Sequence, residues 1–103
     1  MADDPAQASS RQVADLLDAM LGSISWNFRA VWIDDSVSDQ ITLHFFLAAD
    51  DPDDREEISD IVFEFEARQD DPLAIEVECE VHVSSEPWKE LPQLGYLVYA
   101  RAE

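Results

Sequence analysis

Cations, cysteine and glycine are all scarce in this sequence, and each shortage removes a class of protein. Six Lys and Arg stand against 24 Asp and Glu in 103 residues. Phosphate neutralisation needs clustered cations, so the chain is not expected to bind nucleic acid directly. The one cysteine, Cys79, rules out an intramolecular disulfide framework and fits a reducing cytoplasm. With two glycines there is no Gly-rich phosphate loop and no nucleophile elbow. No apolar run approaches the ~18 residues of a membrane span. Residues 1–8 lack the basic start and apolar run of a signal peptide.

What is abundant is negative charge on a chain otherwise composed like a folded protein. The apolar fraction is 47%, which is enough for a core. The formal net charge is −18 and the pI about 4.1. Such an excess of one sign repels itself in the compact state, yet aids solubility and steers positive partners over long range. Adaptation to high salt is a second explanation of the acidity. The placement of the charge favours a partner: 14 of the 24 acids lie between Asp50 and Glu80, among only two cations, Arg55 and Arg68.

Hydrophobic spacing predicts the elements. After a disordered N-terminus over residues 1–8, Ser9 and Gln12 form a capping-box pair. Val13, Leu16, Leu17, Met20 and Leu21 then repeat at helical spacing, with Gly22 at the C-terminal left-handed position. Two strands follow at Asn27–Ile33 and Ile41–Leu47. In the second, Ile41, Leu43, Phe45 and Leu47 share one face, and Thr42, His44 and Phe46 the other. Asp51 and Pro52 open a second helix as N-cap and first-turn residue, and Ile58, Ile61, Val62 and Phe65 give its apolar stripe to about Arg68. Asp70, Asp71 and Pro72 end it. Leu73–Val83 alternates as a strand, with Cys79 packed inward and Glu76, Glu78, Glu80 and His82 outward; Tyr96–Arg101 is the last strand. The expected fold is a single α+β domain over residues 9–103, in the order α-β-β-α-β-β. It is a mainly antiparallel four-stranded sheet with both helices on one face and a right-handed crossover into the third strand.

No constellation in this order demands catalysis. Acid–base work by carboxylates needs one of them in a dry pocket, and these sit on exposed faces and turns. The run from Asp50 to Asp54 lacks the glycine and terminal glutamate of a calcium loop, so capping is its expected use. His44 and His82 would need to converge with a further ligand to bind metal, and spacing alone does not show whether they meet. No cofactor and no metal are expected. The candidate residues are therefore those of a binding surface: Asp53, Asp54, Glu57, Asp60 and Glu64 on the second helix, and Glu76, Glu78 and Glu80 on the third strand. Trp88, between Pro87 and Pro92, is a candidate anchor. Helix and strand are adjacent in sequence and expected to be adjacent in space.

The segments LLDAMLGSI (Leu16–Ile24), FRAVWI, DDREEISDIVFEFEA (Asp53–Ala67) and LGYLVYAR resemble the small acidic immunity proteins of bacterial contact-dependent and polymorphic toxin systems. That resemblance spans roughly residues 12–102 and carries no transferable site motif. It implies a non-catalytic protein that binds and occludes a cognate toxin, often a nuclease with a basic cleft. A nucleic-acid mimic inhibiting another enzyme is the alternative, and a small enzyme or metal protein the third. The like-signed surface favours a monomer.

Overall fold

The first helix buries Leu16, Ala19 and Met20 in a core shared with the second helix and the sheet. A computed structural model describes residues 5–37, 39–69 and 75–101. Its elements are α1 (Pro5–Met20), β1 (Phe28–Asp34), β2 (Gln40–Leu47), α2 (Pro52–Ala67), β3 (Glu76–Val83), a 3-10 turn (Trp88–Glu90) and β4 (Tyr96–Ala100). Within α1, Leu16, Ala19 and Met20 are buried, whereas Leu17 and Leu21, predicted for the same stripe, stay exposed. The helix begins at Pro5, so Ser9 lies inside it and not at its start. Gln12 turns away from the helix start and donates from Nε2 to Gln69 Oε1 at the end of α2. Gly22 takes φ +80° after the last turn of α1, and the amide of Ser23 closes on the carbonyl of Met20.

The entry to α2 follows the sequence closely. Asp51 accepts from the amides of Asp53 and Asp54, Pro52 starts the helix, and Arg68 is the C-cap. Ile58, Ile61 and Phe65 are almost wholly buried, and each contributes about 1.5–3 kcal/mol by leaving water. They meet Val31, Ile33, Leu43, Phe45 and Leu47 from the sheet and Leu16 and Met20 from α1 in one core. Both helices thus cover the same sheet face, as expected.

The sheet order is β3-β2-β1-β4. β1 pairs antiparallel with β2 and with β4, but β2 pairs parallel with β3 along its whole length. The sheet is therefore mixed, a correction to the mainly antiparallel expectation. The cause is the crossover: α2 returns the chain to the end where β2 began, so β3 must run the same way. The breaker residues Asp70, Asp71 and Pro72 and the strand residue Leu73 lie outside the described residues.

The other sheet face is only half open. Ala30, Trp32 and Phe46 form a second cluster, covered by Leu91 with Trp88 and Leu94 from the segment between β3 and β4. A bulge in β1 between Phe28 and Ala30 sends Phe28 to the helix side and Ala30 to this one.

Candidate functional site

Strand periodicity places Glu76, Glu78, Glu80 and His82 on the uncovered part of this second face. The opposite set on β3 looks toward α2: Ile75 and Val77 line a cleft with Glu66 and Gln69, and Cys79 and Val81 line another with Arg55, Ile58, Ser59 and Val62. The three glutamates are exposed and stand about 6.5–7 Å apart along the strand. Glu78 is pushed above the ordinary carboxyl range, first by a hydrogen bond and charge from Glu76, then by slight burial and Glu80. Asp34, on β1 opposite Thr42, shares this face. The hydroxyl and amide of Ser36 hold Asp34 below its ordinary value.

The acids of α2 do not join this row. Asp53, Glu57, Asp60 and Glu64 are exposed. At 100° per residue they occupy the flank of α2 opposite the one, carrying Arg55, Ser59, Val62 and Glu66, that borders β3. That flank lies toward α1, where Arg68 reaches Asp18 at 3.9 Å. The expectation of one acidic surface across helix and strand is thus corrected to two surfaces on opposite sides of the sheet. Period-two and period-3.6 patterns each show which residues share a face, but not how the faces of two elements are oriented to one another.

Asp54, expected at the interface, is turned inward and buried. Its Oδ2 accepts from Asn27 Nδ2 at 2.8 Å, fixing the start of α2 to the end of the first loop. Asp50 is engaged by Arg55, so the acidic run from Asp50 to Asp54 works locally, as capping predicted. Trp88 is half-buried against the second cluster. Cys79, expected to be packed inward, is exposed because β3 is an edge strand that α2 covers incompletely. Partial burial of the thiol in the cleft beside α2, with the charge of Glu80, pushes its pKa up to about 11, so the nucleophilic thiolate is scarce at neutral pH.

The two histidines converge. The parallel register sets His44 opposite Glu80 and Phe46 opposite His82. His44 Nδ1 lies 3.1 Å from His82 Nε2 and 3.2 Å from Glu80 Oε2, and His82 Nε2 lies 3.6 Å from the same oxygen. The two imidazoles stack, and His82 stacks in turn on Phe46. Burial pushes the pKa of His44 down, with Glu80 opposing and His82 assisting. The signal in the sequence was the placement of both histidines on the less apolar faces of their strands; the parallel register that joins them was not readable there. A groove of about 490 Å³ was also missed. It lies between Trp26, Arg29, Glu86 and Arg101, with the guanidinium of Arg101 over the Trp26 ring at 4.9 Å.

Among the described residues, no helix is long and apolar enough to cross a membrane. No curated protein matches the sequence. A family model described as MafI2 immunity protein matches residues 11–103. That span takes in both helices' buried stripes, all four strands and both acidic surfaces, and the chain accordingly belongs to the MafI2 immunity protein family.

Proposed function

We propose that this chain neutralises a cognate toxin by binding it, without catalysis, through the exposed outer face of the edge strand β3. The carrying observation is the Glu76–Glu78–Glu80 row, three exposed carboxyls projecting from alternate residues on one face of the edge strand β3. A folded chain that keeps such a row of like charge gains from a partner that supplies positive charge. The partner this surface suits is a toxin with a basic surface, such as the substrate cleft of a nuclease. Asp34 and the half-buried Trp88 extend the contact across the same face. A standard interface covers about 800 Å² of each partner, too little to wrap both sides of the sheet. The α2 stripe of Asp53, Glu57, Asp60 and Glu64 therefore acts at long range, steering encounter without being covered.

Two charge-reversed proteins separate these roles in kinetic binding measurements with the cognate toxin at low salt. Glu76→Lys with Glu78→Lys should slow association about tenfold or more and speed dissociation. Glu57→Lys with Asp60→Lys and Glu64→Lys should slow association while leaving dissociation near the wild-type rate. Normal binding and cell protection by the first variant, with loss by the second, would move the interface to α2. Normal behaviour of both would remove electrostatic recognition altogether.

A further inference from the structure

We infer that His44, Glu80 and His82 form a binding site for a divalent transition-metal ion of the Zn²⁺ class on the uncovered sheet face. The geometry comes from the fold alone. Residues two apart on β3 point the same way, and the parallel pairing puts His44 beside Glu80. The three ligand atoms form a triangle with edges of 3.1, 3.2 and 3.6 Å. Bonds of 2.0–2.1 Å at tetrahedral angles place ligand atoms about 3.4 Å apart, so an ion fits without movement of the strands.

Hydrogen bonding satisfies only part of this triangle. A proton on His44 Nδ1 can be given to Glu80 Oε2 at 3.2 Å or to His82 Nε2 at 3.1 Å, and those two acceptors then face each other at 3.6 Å, beyond hydrogen-bond reach. A central cation makes all three contacts attractive at once. The scaffold is also rigid. His44 is buried at 8% side-chain exposure, and His82 is clamped between the His44 and Phe46 rings. Ligands held on strands by packing keep the geometry a metal site requires.

The donor set selects the ion. Two imidazoles and one carboxylate suit Zn²⁺ and its neighbours, whereas Ca²⁺ and Mg²⁺ require oxygen ligands in larger number. Glu80 is 58% exposed and His82 33%, so the remaining coordination position faces solvent. Three protein ligands with one open position leave room for water or for a side chain of a bound protein. This inference stands apart from toxin binding, because it concerns the isolated chain.

The test is calorimetric titration of Zn²⁺ into the metal-free 103-residue chain, in physiological salt with excess Mg²⁺ to occupy non-specific acidic sites. One ion per chain at micromolar or tighter affinity is expected, and Co²⁺ should give the visible absorption of a tetrahedral nitrogen–oxygen site. His82→Ala and Glu80→Gln should each weaken Zn²⁺ binding about tenfold or more. Both residues are partly exposed, so folding should persist, and circular dichroism checks it. Glu57→Gln with Asp60→Gln and Glu64→Gln should leave the affinity unchanged. Absence of stoichiometric binding would overturn the inference. So would equal affinity in the wild type and the folded His82→Ala protein, or loss of binding in the α2 variant.

Discussion

Gly95 shows how much a single position can decide. It takes φ +105° just before β4, and a Cβ there would stand 2.3 Å from the carbonyl oxygen of Ile33 and 3.0 Å from the Cα of Asp34. Both obstacles are backbone of β1, so no side-chain rearrangement relieves them. Gly95→Ala should therefore lower stability by about 1–3 kcal/mol, read as a lower urea midpoint, with hydrogen exchange rising first in β4. Gly22 contrasts with it: the same left-handed geometry holds, but a Cβ there meets nothing within 4 Å. Gly22 was recognisable as a helix stop from its position after an apolar stripe. Gly95 was not, because the atoms it must avoid come from a strand some sixty residues earlier in the chain.

At the scale of the element, β3 combines an incomplete core face with a self-repelling outer one. A carboxyl whose pKa is raised by folding destabilises the fold in its ionised form. For Glu78 the penalty is fully present above the raised native value and disappears as pH falls below the ordinary value of 4.5. Glu78→Gln should consequently raise the melting temperature at neutral pH, lose that advantage near pH 4, and still weaken toxin association. A variant that is more stable yet binds less tightly separates a binding role from a structural one. The alternation that marks β3 was plain in the sequence, as were the N-cap and first turn of α2. The start of α1 was not. A capping-box pattern at Ser9 competed with helix continuing back to Pro5, and the continued helix prevailed.

At the scale of the whole molecule, the net charge of −18 opposes compaction and promotes encounter with a basic partner. Salt acts on both. Raising it from tens of millimolar to half-molar shortens the screening length to a few ångströms, near ~4 Å at the upper end. The melting temperature of the free chain should rise across that range, while the association rate with the toxin falls. A scanning thermal melt and stopped-flow association measured in the same buffers check the pair together. A melting temperature indifferent to salt would mean that the acids are neutralised within the fold. The geometry argues against that for Glu57, Asp60 and Glu64, which make no ion pair among the described residues.

The amino-acid order by itself determined the succession of helices and strands, the alternation of faces along β2 and β3, the capping of α2 and the sign of the surface. These follow from local periodicity, from single-residue backbone preferences and from composition. Only the tertiary structure decided which strands are neighbours and in which direction they run. The parallel pairing of β2 with β3 followed from the crossover through α2, and it brought His44, Glu80 and His82 within contact. The same packing turned Asp54 inward and put the α2 acids on the far side of the sheet from the β3 row. Periodicity names the face on which a side chain stands, but the neighbour it meets there is set by how distant segments pack.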